Sequence, residues 1–332
     1  MAERAGAGEY ESARLMSTVL TLYYRQQLTQ AEVAKRLGLS TAKVNRLLQQ
    51  AREEGMVEII IRAPLQHLFD LEARLKAIFN LREVLVIPRL AEDASDMAHT
   101  LGAAAAGLLL EHLQDGDIVA IGGGTGVNAV VQGLEARRSY AVRVVPLLGA
   151  VQGSVTTDVN YLAVQLATRL GGSAYQLHAP AFADTAEERD ALLAMRPIKE
   201  ILDIARRATI ALVGVGAVDD ESSRYVQFTA LAAEDMKRIA EVYGGVGEIG
   251  AHIYDLRGRP CAEEYGQRVV GLSLQELRRI PFIIGLAARA VKARPIYGAL
   301  RGGYLDALVT DEVAAQGVLE LFERGFRDGA VQ

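Results

Sequence analysis

Two sets of residues in this sequence are of types, and at spacings, that can do chemistry. The first is the polar run Thr41, Lys43, Asn45 and Arg46, with Lys35 and Arg36 a few positions before it. An asparagine can form two hydrogen bonds with an adenine edge, while lysine and arginine reach guanine or a phosphate oxygen. Asn45 is the candidate base reader, and Arg46 and Lys35 are the candidates for the nucleic-acid backbone. The second set is Gly122-Gly123-Gly124-Thr125-Gly126, between an apolar run and a helical pattern. Glycines let backbone amides crowd around an anion, and a helix N-terminus favours negative charge, so the expected guest is a phosphate. The spacing is neither G-x-G-x-x-G nor a Walker loop, which argues against a dinucleotide or nucleotide. Gly149 and Gly153, Gly214 and Gly216, Gly247 and Gly250, and Asp255 follow other apolar runs. One such loop is often only a tight turn; several at one edge make a pocket.

Acid–base catalysis needs a placed base and usually a partner acid. The five histidines, His67, His99, His112, His178 and His252, form no recognisable pair. His178 reads as a wall residue, and Asp311 reads as the cap of a final helix. No catalytic residue is therefore assigned. The single cysteine, Cys261, excludes an internal disulfide and a cysteine-built metal site. Neither metal nor cofactor is expected.

The polar run needs an element to present it. Thr29 and Glu32 make a capping box, and Val33, Ala34 and Leu37 recur at helical spacing. Gly38 ends that helix, Leu39 plugs the core and Ser40 caps a second helix with an apolar face of Val44, Leu47, Leu48 and Ala51. This is a helix-turn-helix, which places the start of its second helix in the major groove. Residues 15–24 supply a third helix, 56–61 a short strand, and 67–80 a linker helix after Pro64. One head reads half an operator, so a dimer is expected. The formal net charge is −5, yet residues 10–62 hold eight basic and five acidic side chains. A basic head on an acidic body suggests that only the head meets phosphate.

The glycine loop belongs to a different architecture. Apolar runs at 84–87, 118–121, 142–147, 210–215, 252–254, 282–285 and 308–310 read as buried strands. Helical patterns at 94–113, 127–136, 159–170, 197–206, 230–240, 288–300 and 312–324 alternate with them. That order predicts an α/β fold with a mostly parallel, doubly wound sheet, whose ligands bind at the strand carboxyl ends. The opening segment has no secretory h-region, and the longest apolar stretch, 101–110, is about half a membrane span. A soluble, cytoplasmic protein with no membrane partner is expected. The predicted organisation is a disordered tail at 1–9, the head at 10–62, the linker helix at 63–82 and a ligand domain at 83–330.

The whole chain resembles the SorC family of sugar-binding, DeoR-like bacterial transcriptional regulators. The resemblance is carried by the head QAEVAKRLGLSTAKVNRLLQQAREEGMVEI and, in order, by IGGGTG, VVPLLGA, NYLAVQLATRLGG, ALVGVG, GEIGAHIYDLRG and the stretch from Ile280 to Glu312. It implies an effector domain similar to phosphosugar isomerases and glucosamine-6-phosphate deaminase. Such a domain senses a sugar or sugar phosphate and controls a dimeric or tetrameric DNA-bound form. Carried over, the loop of Gly123, Gly124, Thr125 and Gly126 would hold the phosphate. Gln152, Glu248 and Asp255 would meet sugar hydroxyls, and Lys292 would supply positive charge. Two departures stand out. Ala288 and Arg289 replace a pair of glycines usual in the family, so either Arg289 contributes to anion binding or the effector is an unphosphorylated sugar or polyol. Glu248 also follows Gly247 where the family often has aspartate. The resemblance implies a regulator rather than an enzyme; the alternative is an isomerase- or deaminase-like enzyme carrying a DNA-binding head.

Overall fold

The structure is a computed structural model that describes residues 2–57, 65–89, 94–151, 155–218 and 233–329, with the backbone alone at 2–9, 94–96, 233 and 326–329. It divides into two compact units, residues 1–64 and 65–332.

In the first unit, helix Ala2–Leu20 runs into a π-helix, Thr21–Arg25, followed by helices Gln30–Leu37 and Thr41–Glu53. The first helix begins at Ala2, where the sequence suggested a tail through residue 9. Alanine and glutamate in that segment favour helix enough to offset its two glycines. The expected capping box is present: Thr29 accepts from the Glu32 N–H, and the Glu32 carboxylate accepts the Thr29 N–H at 2.7 Å. Gly38 takes the left-handed conformation, φ 65°, that closes the turn, and Ser40 caps the next helix. Val19, Leu22, Val33, Ala34, Val44 and Leu48 form the buried centre. Most of the strand expected at 56–61, and Pro64, lie outside the described residues.

The second unit is built on a sheet of β1 (Glu83–Ile87), β2 (Ile118–Ile121), β3 (Arg143–Pro146), β4 (Ser173–Ala174), β5 (Ile210–Gly214), β9 (Phe282–Leu286) and β10 (Ala307–Asp311). Every pairing in it is parallel, in the order β1-β10-β9-β5-β2-β3-β4. Helices Ala94–His112, Thr125–Gly133 and Val159–Leu170 pack as one layer. Helices Gln66–Phe79, Ala293–Arg301 and Glu312–Gly329 pack as another. Right-handed crossovers that travel in opposite directions place helices on both faces, as a doubly wound fold requires.

Two expectations are corrected. The strand expected at 252–254 is not part of the parallel sheet. It is β8 (His252–Asp255), in a separate antiparallel trio with β6 (Gly216–Ala217) and β7 (Gly245–Ile249). Gly247, which read as part of an open loop, is instead a place where a strand lies against bulk: a Cβ on it would come within 2.9 Å of Pro295 and of the Tyr254 ring. The helix at 66–79 is also no linker. It buries Leu68, Leu71 and Leu75 in the main core, so it belongs to the body. Among the described residues no helix is long and apolar enough to cross a membrane.

Candidate functional site

The winding of the large sheet reverses between β2 and β5. From β2 the chain moves outward through β3 to β4; from β5 it moves the other way to β9 and β10. Connections that leave neighbouring strands in opposite directions open a crevice at the carboxyl ends, where ligands of such sheets bind. Residues 122–126, after β2, and 214–216, after β5, stand at this reversal.

The glycine loop is stapled in place from two sides. Gly122 N–H donates to the Leu212 carbonyl at 2.9 Å, and Gly124 N–H donates to the Thr157 carbonyl at 3.0 Å. A Cβ on Gly123 would lie only 3.0 Å from that same Thr157 oxygen. Gly124, at φ 105° and ψ 173°, caps helix Thr125–Gly133 in a conformation natural only to glycine. The amides that open this helix have no partner within it and carry the positive end of its dipole. The loop has the chemistry of an anion cradle.

Across from it, β6 pairs with β7 so that Gly216 stands opposite Glu248, and a Cβ on Gly216 would run into the Glu248 carboxylate. That carboxylate accepts the Ala251 N–H at 3.0 Å. Burial pushes the Glu248 pKa above the usual range, opposed by the Ala251 hydrogen bond and by the nearby positive charge of Lys292. Lys292 ends a short turn, Ala290–Lys292, packed beside β6. Before it, Arg289 donates its N–H to Asp311 Oδ1 at 3.0 Å, and the same oxygen accepts the Ala314 N–H at 3.1 Å. Leu286, ending β9, brings this segment to the glycine loop: a Cβ on Gly126 would lie 3.8 Å from the Leu286 Cβ.

Gly123, Gly124, Thr125, Gly126, Glu248, Arg289 and Lys292 therefore share one edge of the fold. Asp255 does not join them. Its carboxylate is bound to the Arg259 guanidinium at 2.7 Å and to the backbone N–H groups of Arg257 and Arg259. Burial acts to raise its pKa, but the Arg259 and Arg257 bonds outweigh it and hold the group below the ordinary carboxylate range. Gln152 lies outside the described residues. Gly216, expected as one of several loop glycines at this edge, is the position that receives the Glu248 carboxylate, whereas the Thr157 carbonyl and the tie between Asp311 and Arg289 had no signal in the sequence.

His178 and Asp311, the two residues with any claim to acid–base work, are far apart. His178 is exposed just beyond β4 at one edge, and Asp311 ends β10, with β9, β5, β2 and β3 between those strands. Five inter-strand spacings separate them by about 24 Å, too far to serve one substrate atom.

His252 begins β8, where burial pushes its pKa down to about 4 despite a hydrogen bond with the Leu272 backbone. The unfolded chain binds a proton here near pH 6.5 and the folded one does not. Stability should therefore fall as pH drops from about 6.5 to 4, by up to about 3 kcal/mol. Thermal melts across this range should show a flatter acid limb for His252→Phe; an unchanged limb would assign the acid sensitivity elsewhere.

In the head, Thr41, Lys43, Asn45 and Arg46 are all exposed at the start of helix Thr41–Glu53. Lys35 and Arg36 are exposed on the preceding helix, with Arg36 Nη1 3.4 Å from Gln26 Oε1. Val44 and Leu48 hold the inner face of the recognition helix in the core, which fixes these side chains outward.

Comparison with known proteins decides the family. A family described as "Putative sugar-binding domain" matches residues 63–320, and sigma-70 region 4, a helix-turn-helix, matches residues 15–54. The transcriptional regulator LsrR of Escherichia coli K12 is 31% identical over 306 residues, covering 92% of this chain and 94% of the relative. The chain belongs to the SorC family. The erythritol catabolism regulatory protein EryD of Brucella abortus is 30% identical over 300 residues, 90% of this chain and 94% of that one. The crystal structure of the full-length sorbitol operon regulator SorC from Klebsiella pneumoniae superposes with a TM-score of 0.72 at 28% identity, covering 93% of this chain and 99% of SorC. This SorC-family protein is a DNA-binding transcriptional regulator whose body is a sugar-binding domain. The family match begins at residue 63 and so takes in helix Gln66–Phe79, in agreement with where that helix packs.

Proposed function

We propose that this regulator reads its operator through Thr41, Lys43 and Asn45, with Arg46, Lys35 and Arg36 on the phosphate backbone, and that a carbohydrate bound at the β2–β5 crevice sets its operator affinity. The effector's anionic group rests on the amides of Gly123, Thr125 and Gly126, the Gly124 amide being taken by the Thr157 carbonyl, and its hydroxyls meet Glu248 and Lys292. It acts in the cytoplasm as a homodimer or homotetramer, because one head spans half an operator. It turns nothing over. The observation that carries this reading is the glycine loop at the sheet reversal, with the Glu248–Lys292 pair bordering the same crevice.

The fold offers a route for the coupling. Helix Gln66–Phe79 is the first described element of the body after the head. Phe79 meets Tyr297 and Phe322 edge-on, each at 5.9 Å between ring centroids. Tyr297 lies on the helix that follows Lys292, and Phe322 on the helix that Asp311 caps. A ligand that binds two arrangements of those loops unequally shifts the helix they support, and with it the head.

The test uses an operator selected from random duplexes and a panel of hexoses, alditols and their phosphates. Sorbitol and erythritol derivatives are included because SorC and EryD are named for those polyols. At least one compound should change operator affinity and, at a hundredfold excess over its Kd, raise stability by about 2.7 kcal/mol. Asn45→Ala should cost about 1–3 kcal/mol and relax preference at one base pair; Arg46→Ala should weaken all sequences alike and reduce the salt slope by about one. Turnover of a panel member that Asp311→Asn abolishes would instead make the protein an enzyme.

A further inference from the structure

The first helix after β4, Ala186–Ala194, buries none of its residues. The helix that follows it, Arg196–Ala205, is of similar length and buries Ile198, Leu202 and Ala205 in the body. A helix this short is marginal in water by itself, and helices in proteins take most of their stability from packing an amphipathic face. Helix Ala186–Ala194 has such a face. Ala191, Leu192 and Met195 stand on it at helical spacing, and none of the three is buried. With Phe182 they line a groove of about 530 Å³, rimmed by Asp184 and Glu188. Met195 is 52% exposed, although methionine is among the residues most often buried. The walls of the groove are fixed without an occupant: Phe182 bridges to Val269, the Ala183 N–H donates to the Arg268 carbonyl at 2.9 Å, and Thr185 accepts the Glu188 N–H at 3.1 Å.

The charges around the groove are sorted by sign. Asp184, Glu187 and Glu188 lie at the amino end of the helix, while Arg196 and Lys199 follow its carboxyl end. Between them, Arg189 and Asp190 satisfy each other at 2.9 Å. Among the described residues Asp184, Glu187 and Lys199 have no ion-pair partner, and Arg196 pairs only with Glu200 on its own helix, at the surface. We propose that a second copy of this chain binds here, through an antiparallel twofold pairing of helix Ala186–Ala194 with itself, in which Met195 of each copy enters the groove of the other. An axis between Ala191 and Leu192 sets position 195 opposite 188 and position 196 opposite 187, so Arg196 of each copy meets Glu187 of the other. A twofold interface needs a patch that is its own complement, and an apolar centre with one acidic and one basic end is such a patch. The same charges argue for a copy of this chain as the occupant. The net charge of −5 falls outside the basic head, so bodies that meet elsewhere bring like charges together, whereas here opposite ends face each other. The inference rests on the homo-oligomer proposed above and gives it a surface.

The experiment is sedimentation equilibrium of the full-length protein, without DNA or sugar. The parent should be a dimer or tetramer, and Met195→Glu should halve its mass, with association weakened at least about tenfold. Met195 is more than half exposed in the single chain, so the circular dichroism of this variant should match the parent. Met195→Leu should associate as the parent does. Arg196→Glu and Glu187→Arg should each weaken association by about fivefold. The chain that carries both should recover most of it, because in a twofold pairing each reversed charge again meets its opposite. Damage to the fold at the two positions would accumulate in that chain instead of cancelling. Parental mass in Met195→Glu, or a double variant weaker than either single one, overturns the proposal and leaves the homo-oligomer to another surface. A monomeric parent overturns both.

Discussion

Replacing Gly102 by valine should cost the body about 3 kcal/mol and lower its melting temperature by about 10 °C, with loss of any effector response. Gly102 lies on helix Ala94–His112 where it crosses helix Thr125–Gly133, and a Cβ there would collide with the backbone carbonyl of Ala129. The reciprocal contact is equally tight: a Cβ on Gly133 would sit 2.9 Å from the Ala103 amide nitrogen. Backbone on both sides cannot give way as a side-chain tip would, so the second helix must shift. That helix begins at the glycine loop, so a displacement of its axis carries the anion cradle with it. Gly107 provides the control. It lies on the same helix with nothing within 4 Å of a Cβ, so Gly107→Ala should be stabilising by up to about 1 kcal/mol through helix propensity alone. Equal melting of the two variants would show that the crossing does not hold the loop.

Gly216→Ala should do the opposite: leave the fold standing and remove the response. The atom its Cβ meets is the Glu248 carboxylate, the far end of a flexible side chain, which can swing away. Losing the Ala251 hydrogen bond costs stability, but releasing a carboxylate whose burial is unfavourable returns much of it, so the net change should stay under about 1 kcal/mol. Effector binding, by contrast, loses a hydrogen bond to a charged group and the alignment of Glu248 with Lys292, worth about 1.5–3 kcal/mol, or tenfold and more in Kd. Glu248→Gln should weaken binding as well, and adding Gly216→Ala to it should cost little further, because both substitutions remove the same contact. Full additivity would mean that Gly216 acts on the ligand by some other path.

The head was legible almost residue by residue, because its signals are local. Thr29 with Glu32, Gly38 and Ser40 each act on backbone within four positions, and each was found in the expected role. The parallel strands were also legible, since strands buried on both faces lose the alternation that marks other sheets. What failed was long-range. Nothing in GEIGAHIYD distinguishes a strand that joins the large sheet from one that pairs with its own neighbours. That choice was made by Gly216 and Gly247, whose missing side chains let Glu248 and Tyr254 pack against them. The turn after Asp255 explains why this acidic residue is not free for a ligand. Arg257 and Arg259 lie two and four positions on, close enough for the loop to satisfy the carboxylate itself. The role of Asp311 in holding Arg289 links residues 22 apart in sequence, and no local pattern announces it.

The packing of helix Gln66–Phe79 has a practical corollary for anyone wishing to transplant this sensor onto another DNA-binding module. The seam in the polypeptide runs before Leu65, not after the helix. A chimaera joined beyond residue 82 would discard Leu68, Leu71 and Leu75 and leave the apolar surface they cover open to water, along with Phe322 and Tyr297 stripped of their Phe79 neighbour. An exposed patch of that kind invites aggregation. A chimaera joined before Leu65 carries the sensor's own handle with it, and only that fusion should report its ligand through the new head.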